Sequence, residues 1–327
     1  MKKLKYLIAV ISCVYFLMVI NGCTKETTPE PLVLVKPIVK TEEQYAALRA
    51  YKKSDHAITF GWWGASAGNQ TADMSTRYMG LPDSLDLVSL WGGYPGSPEK
   101  WAELRYVQKV KGTRFLTVMF ASRVDTIRKR NFPTLPILES IDAVAKSISD
   151  TVAKYELDGF DLDYEPNYGD GGIFGHGAKD AGGDIYTQRL FTALSKYFGP
   201  LSGTGRVLMI DGEIEKGIMS QIDYYAQQAY GSTTFASLQS RYQSFALGLL
   251  PTKKFIVTEN FQQYGAFGTT FMYNGVNIGS TMGMALWNPT QGRKGGMGGY
   301  LIEGDAEGAV PFKNLRKAIQ LMNPATK

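Results

Sequence analysis

Short apolar runs rich in β-branched and aromatic residues recur along the chain and predict its strands. Each run is seven to nine residues long, which is a typical length for a strand. The eight runs lie at residues 56–63, 85–92, 113–121, 157–165, 206–213, 224–231, 253–260 and 283–289.

Between several of these runs the apolar positions change to the three- or four-residue spacing of an amphipathic helix. The clearest case is residues 136–155, with apolar side chains at Ile137, Ile141, Val144, Ile148 and Val152. Residues 186–198 repeat the pattern before a Gly-Pro stop, and residues 312–322 predict a last helix.

Alternation of strand and helix predicts a parallel (β/α)8 TIM barrel in a single domain, residues 41–327. The length suits this fold, since such barrels need roughly 250 residues. An open doubly wound sheet is the second possibility, but no glycine fingerprint follows the first predicted strand.

Aromatic, amide and carboxyl side chains stand at the ends of the predicted strands, where a TIM barrel carries its chemistry. Such side chains are suited to gripping sugar rings and hydroxyl groups. They are Trp62, Trp63, Trp91, Asp211, Glu213, Gln228, Tyr230, Glu259, Asn260, Trp287 and Asn288.

The fourth predicted strand is unusually acidic: residues 157–166 read LDGFDLDYEP. Because strand side chains alternate, Asp161, Asp163 and Glu165 should point into the barrel and rise towards its mouth. Asp158 is out of phase at the start of the strand, where it should order the backbone or neighbouring hydroxyl groups.

Carboxyl groups spaced about 6.5–7 Å apart in a confined site cannot all ionise cheaply, so at least one proton should be shared. A glutamate that holds its proton near neutral pH can serve as a general acid. A calcium or magnesium site and a structural charge cluster are the alternatives, but calcium loops wrap the ion in irregular turns. We expect no metal and no cofactor.

The amino terminus resembles a bacterial lipoprotein signal. Three lysines precede an uncharged apolar run of 14 residues, 7–20, which is short for a membrane span. The run is followed by Ile-Asn-Gly-Cys, which resembles a lipobox and implies cleavage after residue 22 and lipidation of Cys23. An ordinary signal peptide or an uncleaved anchor is the alternative. Residues 23–40 then form a proline-containing tether.

Removal of residues 1–22 takes three lysines and leaves 32 basic against 30 acidic residues, a net charge of +2. This balance argues against nucleic acid or an anionic membrane surface as the partner. Cys23 would then be the lone cysteine, which excludes a disulfide framework, and two histidines are too few for most zinc or Ser-His-Asp chemistry. A monomer is expected.

The stretch DGFDLDYE at 158–165 resembles the DGxDxDxE signature of family 18 glycoside hydrolases. The resemblance implies that Glu165 protonates the glycosidic oxygen, that Asp163 orients the 2-acetamido group of the substrate and that Asp161 modulates Asp163. It also implies that the acetamido oxygen, rather than a protein nucleophile, attacks the anomeric carbon. An oxazolinium intermediate and retention of configuration follow.

Within that family, the chain lacks the SxGG and MxYD elements of the chitinase branch. Gln228-Ala229-Tyr230 instead resembles the QxY element of endo-β-N-acetylglucosaminidases, which cut the chitobiose core of N-linked glycans. By that resemblance Tyr230 hydrogen-bonds the acetamido carbonyl, Gln228 helps to orient the same group or the next sugar, and Trp287 lies under the reacting sugar.

Further residues expected to bind an N-glycan or another GlcNAc-containing oligosaccharide are Asp158, Trp62, Trp91, Glu259 and Asn260. The chain also resembles short family-18-like lipoproteins of Bacteroidetes glycan-utilisation systems, and this resemblance implies a location in the bacterial cell envelope, in the outer membrane or at the cell surface. A chitinase of the same family and a noncatalytic glycan-binding lipoprotein are the alternative functions. Glycine-rich loops at 167–184 and 291–300 are expected to border the cleft.

Overall fold

A computed structural model of the chain describes residues 38–307 and 310–324. Eight parallel strands close into a barrel in the order β1-β8-β7-β6-β5-β4-β3-β2, which confirms the predicted (β/α)8 fold. The strands are β1 Ile58–Trp62, β2 Leu87–Ser89, β3 Arg114–Phe120, β4 Gly159–Tyr164, β5 Val207–Gly212, β6 Tyr224–Gln228, β7 Phe255–Asn260 and β8 Gly296–Tyr300.

Helices surround this barrel and pack their apolar faces against the outside of the strands. The predicted helices at 136–155, 186–198 and 312–322 are present, the first as an 18-residue helix with its buried face at three- and four-residue spacing. The helices are α1 Glu42–Lys53, α2 Pro98–Tyr106, α3 Ala121–Asn131, α4 Ile137–Lys154, α5 Ile185–Leu194, α6 Phe235–Phe245, α7 Phe261–Tyr264, α8 Ser280–Leu286 and α9 Lys313–Met322.

The predicted eighth strand at 283–289 is wrong. That apolar run belongs to helix α8, and six of the seven helical residues are buried. A short apolar run does not distinguish a buried helix from a buried strand by its periodicity. The true β8 lies inside the predicted loop 291–300, in the sequence GMGGY.

Strand β8 is rich in glycine because the neighbouring backbone comes very close. A Cβ on Gly296 would stand 2.0 Å from the carbonyl oxygen of Ile58, and one on Gly298 would stand 2.5 Å from that of Phe60. Strand β8 pairs with β1 from Ile58↔Gly296 to Trp62↔Tyr300 and thereby closes the barrel.

The structure does not test the amino-terminal predictions, because Cys23, the signal segment 1–22 and most of the tether 23–40 lie outside the described residues. Within the described ranges, none of the helices combines the length and the apolar character needed to cross a bilayer.

Candidate active site

The acidic side chains of β4 meet a group of aromatic and polar side chains at the carboxyl ends of the strands. They surround a cavity of about 170 Å³ at the mouth of the barrel. Its lining residues are Trp62, Trp91, Phe120, Asp163, Glu165, Asp211, Gln228, Tyr230 and Tyr300.

Asp161 lies fully buried beneath this cavity and is held by two neighbouring strands. Its Oδ2 accepts a hydrogen bond from Trp62 Nε1 of β1 at 3.1 Å and one from Ser89 Oγ of β2 at 2.6 Å. Burial raises the pKa of Asp161 to about 6, against the opposing effect of these hydrogen bonds. The structure therefore fixes Asp161 in one orientation directly below Asp163.

Asp163 stands one step higher on β4, in register with Asp211 on β5. Burial, together with the negative charges of Glu165 and Asp161, raises the pKa of Asp163 to about 8. Burial, together with Asp163 and Asp161, also raises the pKa of Asp211 well above its ordinary value. Three carboxyl groups thus compete for protons in one dry pocket.

Each of these three carboxyl groups has one buried oxygen with no conventional hydrogen-bond donor among the described residues: Asp161 Oδ1, Asp163 Oδ1 and Asp211 Oδ2. Asp211 nevertheless lies within hydrogen-bonding reach of both Asp161 and Asp163. A contact between two carboxyl groups requires a proton on one of them. The raised pKa values of Asp163 and Asp211 therefore indicate that these carboxyl groups share at least one proton.

Glu165 occupies the end of β4, at the rim of the cavity, where the backbone turns into a short 3-10 helix at Pro166. The neighbouring backbone at Gly212 has a φ of 83°, and a Cβ there would lie 2.6 Å from the carbonyl oxygen of Tyr164 and 3.0 Å from Glu165 Cγ. Glycine at 212 therefore leaves the space in which the Glu165 side chain stands.

Gln228 and Tyr230 reach the same cavity from the end of β6. Gln228 Nε2 donates to Asp211 Oδ1 at 3.1 Å. Tyr230 lines the opening with Tyr300, their ring centroids being 6.4 Å apart, and burial raises the pKa of its hydroxyl well above the ordinary value. The hydroxyl is accordingly a hydrogen-bond donor throughout the physiological pH range.

An aromatic wall completes the opening on the side of β1, β2, β3 and β8. The indole of Trp91 meets the rings of Tyr300 and Phe120 edge-on, with centroid separations of 5.3 Å in both cases. Such a wall offers apolar faces next to the carboxylates, the combination that binds sugar rings.

Trp287, which the sequence places under the reacting sugar, is not in this cavity. It follows helix α8, is 3% exposed, and packs against Phe255 with a ring-centroid distance of 6.3 Å. It borders a separate surface cavity with Phe235 and Gln239. The error follows from the misplaced eighth strand, and Tyr300 at the end of the true β8 lies at the cavity instead.

Glu259 and Asn260 are also absent from the cavity lining, although both were expected to bind substrate. Glu259 is fully buried, and its Oε1 accepts from the backbone N–H of Gly231 at 2.9 Å. Asn260 caps helix α7 by accepting from Gln263 N at 2.9 Å. Glu259 therefore supports the turn after Tyr230, and Asn260 begins a helix.

Asp158 lies at the opposite end of β4 and cannot meet a ligand in this cavity. Its Oδ2 accepts from Phe115 N at 2.8 Å and from Gln108 Nε2 at 2.6 Å. The expectation that it orders the backbone is confirmed, whereas its inclusion among the substrate-binding residues is wrong.

The site also contains Ser89, Phe120, Asp211 and Tyr300; of these, only Asp211 was noted in the sequence, as a strand-end residue, and it was given no role. Asp211 carried a recoverable signal, because it stands at a strand end next to the acidic strand, and residues in register on adjacent strands share a face. Tyr300 carried none, because its glycine-rich strand was interpreted as a loop.

The loop 167–184 is tied to the body of the barrel. Asp170 O accepts from Ser122 N at 2.7 Å, Phe174 is fully buried, and Lys179–Asp180 pairs with Gly183–Asp184 in a short hairpin.

Among the described residues, no group of three His, Cys, Asp or Glu side chains has an arrangement that could hold a metal ion.

A parallel barrel with graded carboxyl groups, an aromatic wall and amide and phenol donors at its mouth defines a glycoside hydrolase site. Comparison with known proteins gives the family. The family model described as the endo-beta-N-acetylglucosaminidase EndoS TIM-barrel domain matches residues 50–298. The chain therefore belongs to this family, within the family 18 glycoside hydrolases, and is a glycoside hydrolase of the endo-β-N-acetylglucosaminidase type.

Individual relatives agree with this assignment. Endo-beta-N-acetylglucosaminidase F2 of Elizabethkingia meningoseptica is 30% identical over 307 residues, which cover 85% of both proteins. The solved structure of a protein called BT1044 is 29% identical, with a TM-score of 0.72 over 86% of this chain and 93% of that one.

An endo-beta-N-acetylglucosaminidase from Cordyceps militaris shares the fold. It is 22% identical, with a TM-score of 0.63 over 88% of this chain and 98% of that one. A variant of that protein has been solved in complex with fucosyl-N-acetylglucosamine-Asn.

Proposed function

We propose that this protein cleaves the GlcNAc-β1,4-GlcNAc bond in the core of N-linked glycans, with retention of configuration at the anomeric carbon. The observation that carries the proposal is the convergence of Glu165, Asp163, Gln228 and Tyr230 on one cavity. Glu165 is at the rim, where a leaving oxygen can be protonated, and the other three side chains line the same cavity, where an acetamido group can be held.

In the first step, Glu165 gives its proton to the glycosidic oxygen while the bond between that oxygen and the anomeric carbon breaks. The carbonyl oxygen of the substrate's own 2-acetamido group forms the new bond to the anomeric carbon, which gives an oxazolinium ion. In the second step, Glu165 removes a proton from water, whose oxygen attacks the anomeric carbon and reopens the ring. The two attacks from opposite faces give net retention.

Asp163 and Tyr230 hold the acetamido group during this sequence. The Tyr230 hydroxyl donates to the acetamido oxygen, and Asp163 faces the acetamido nitrogen. As positive charge develops on the oxazolinium ring, the ionised form of Asp163 becomes favoured, and Asp161 is the adjacent group that can take up its proton.

Incubation of the purified protein with ribonuclease B, a glycoprotein with high-mannose chains, tests the proposal. Mass spectrometry should show the loss of all of the glycan except one GlcNAc on the asparagine. Cleavage of chitotriose without cleavage of the glycoprotein would instead indicate a chitinase. Glycan binding without cleavage of either substrate would indicate a noncatalytic glycan-binding protein.

We further propose that the protein is a lipoprotein of the bacterial cell envelope, anchored through Cys23 after removal of residues 1–22. The support is the sequence alone: the basic start, the apolar run 7–20 and the small residue before the cysteine. Metabolic labelling with a fatty-acid analogue in a bacterial host should mark the wild-type protein and leave Cys23→Ser unlabelled. Equal labelling of both would refute the anchor.

A further inference from the structure

A second large cavity opens at the end of the barrel opposite to Glu165. It encloses about 600 Å³ and lies where the strands begin: Ile58, Arg114 and Tyr224 are the first residues of β1, β3 and β6. We call it the floor cavity. Because the catalytic side chains lie at the carboxyl ends of the same strands, the floor cavity is separate from the candidate active site.

The lining of the floor cavity is strongly basic. It contains seven lysine and arginine side chains and one histidine, whereas Asp55 supplies its only carboxylate. The chain as a whole has almost as many acidic as basic residues outside the first 22 positions, so the positive charge is concentrated here. The buried carboxyl groups of Asp161, Asp163 and Asp211 lie at the other end of the barrel, in the candidate active site.

Asp55 is already engaged by two of these cations. It accepts from Lys253 Nζ at 2.6 Å and from the guanidinium of Arg293. His56 is likewise engaged, by Asp86 at 3.1 Å from its Nε2. Among the described residues, carboxylates therefore neutralise only one part of the cavity wall.

Arg49 is paired with Glu42, and the charge of Arg114 opposes the burial that raises the pKa values of Asp158 and Asp223. The other cations of the wall are not held in an ion pair with any described residue. Within the described ranges, Lys53, Lys109 and Arg114 form no salt bridge to a carboxylate, and Arg114 is half-buried beside Tyr224. Lys52 Nζ donates to the carbonyl oxygen of Leu85 at 2.6 Å and to the hydroxyl oxygen of Thr113 at 2.8 Å. Both acceptors are uncharged. A half-enclosed wall with excess positive charge attracts a multivalent anion.

The pKa of Lys52 is shifted mainly by the burial of its ammonium group. The net effect lowers the pKa to about 7: the negative charges of Asp86 and Asp83 oppose the burial, and the positive charges of Lys111 and Arg114 add to it. An anion in the cavity would favour the charged form of Lys52 and would itself be stabilised by it.

We propose that the floor cavity binds a phosphate-bearing anion. Phosphate fits this lining because arginine presents a planar fork that matches its oxygens and lysine adds a compact charge. The volume exceeds what one phosphate needs, so the ligand carries two phosphates or a phosphate on a larger group. A soluble phosphorylated compound and the headgroup of an anionic lipid share this chemistry.

Isothermal titration of the full-length protein with inorganic pyrophosphate, in low-salt buffer, tests the site. The wild type should bind, and the double variant Lys109→Gln/Arg114→Gln should bind about tenfold or more weakly, because each charge-assisted hydrogen bond contributes roughly that factor. Lys53→Gln/Lys109→Gln, at two exposed positions, should weaken binding without disturbing the fold.

The matched control is Arg130→Gln/Lys313→Gln, which removes the same charge from exposed positions outside the cavity. It should bind pyrophosphate as the wild type does. Equal weakening in the control and the cavity variants would overturn the proposal, since general charge would then explain the binding. Glycan hydrolysis and the thermal unfolding midpoint show whether each variant is folded.

Vesicle sedimentation identifies the source of the phosphate. Excess binding to phosphatidylglycerol over phosphatidylcholine vesicles, lost in Lys53→Gln/Lys109→Gln, would identify a lipid headgroup. The amino terminus, with its apolar run and three lysines, is the same in the wild type and the variant, so only the part of the excess that the variant loses belongs to the cavity. Pyrophosphate binding without vesicle preference would identify a soluble ligand. Binding of neither pyrophosphate nor anionic vesicles by the wild type would refute the proposal.

Discussion

Gln228 Nε2 donates to Oδ1 of Asp211 at 3.1 Å, which joins the end of β6 to a carboxyl group on β5. This contact occupies one oxygen of Asp211 and leaves the other facing Asp161 and Asp163. The element that carries the QxY sequence is thereby connected to the acidic strand through a residue that belongs to neither motif. Burial and the neighbouring carboxyl groups raise the pKa of Asp211, so we expect it to hold a proton, and this can be tested by substitution.

Replacement of Asp211 by asparagine should leave the protein as stable as the wild type, or more stable, at pH 8. The amide keeps an acceptor for Gln228 and a donor for the aspartates of β4 without needing a bound proton. Replacement by leucine should cost about 1–3 kcal/mol, because it leaves buried polar groups unpaired. Chemical denaturation of both variants measures the difference, and a greater loss for asparagine than for leucine would show that Asp211 is ionised.

The free energy of unfolding should fall as the pH rises from 5 to 7. Asp163, with a folded-state pKa of about 8, retains its proton over this range, whereas the unfolded chain has already released it. The native state then binds more protons than the unfolded one, so stability decreases by up to about 1.4 kcal/mol per pH unit for each such carboxyl group.

Asp163→Asn provides the control for that slope. Its stability should depend less on pH between 5 and 7, as measured by urea denaturation at several pH values. Above pH 7 the buried Lys52 and Lys294, whose pKa values burial lowers to about 7, act in the opposite direction, so the comparison is confined to the lower range. Parallel slopes for variant and wild type would contradict the raised pKa of Asp163.

Glu165→Gln should lower kcat by roughly 10²- to 10⁴-fold or more, because the amide cannot supply the proton to the leaving oxygen. Glycan affinity should change little, because the side chain keeps its size. Rate measurements on a glycopeptide and titration with the same glycan separate the two effects. Glu139→Gln, on an exposed position of α4, should behave as wild type, and near-normal turnover in Glu165→Gln would remove Glu165 as the acid.

Tyr300→Leu and Trp287→Leu should have opposite signatures. Tyr300 lines the cavity, so its loss should reduce kcat/KM with a small effect on thermal stability. Trp287 packs on Phe255, so its loss should cost about 2–4 kcal/mol of stability, with activity per folded molecule retained. Steady-state kinetics and thermal unfolding of both variants give this comparison, and a lower kcat/KM for Trp287→Leu alone would restore the original prediction.

Gly296→Ala should destabilise the barrel by about 3 kcal/mol or more, because the added methyl group would overlap the carbonyl oxygen of Ile58 at 2.0 Å. The matched variant Gly304→Ala places its nearest contact at 3.4 Å and should stay close to wild type. Soluble yield and urea denaturation distinguish them. Equal stability of the two variants would mean that strands β1 and β8 can separate locally at little cost.

The sequence predicts those parts of the molecule that are governed by local pattern. Strands β1 to β7 appear where apolar runs occur, and helix α4 appears where the three- and four-residue spacing occurs. The positions of Asp161, Asp163 and Glu165 follow from strand alternation alone. These features are available in one sequence because each depends on neighbours along the chain.

Features that depend on contacts between distant segments were not predicted. Strand β8 has no apolar pattern, because its glycines are required by the close approach of the β1 backbone. Glu259 has the composition of a binding residue at a strand end, yet it turns to the backbone of Gly231. The net charge of the chain did not predict the floor cavity for a similar reason. A value near zero conceals the separation between the acidic mouth of the barrel and the basic floor cavity.

The pairing of β8 with β1 also sets an order of events in folding. The two strands are among the most widely separated elements of the chain, and their pairing completes the hydrogen bonding of all the others around the barrel. A nascent chain that has not yet extended past Tyr300 leaves β1 and β7 with open edges, which can pair with other chains. Ring closure is therefore delayed until the chain has been made as far as Tyr300, and the closing strand is rich in glycine and lacks a strong apolar pattern that would promote premature association.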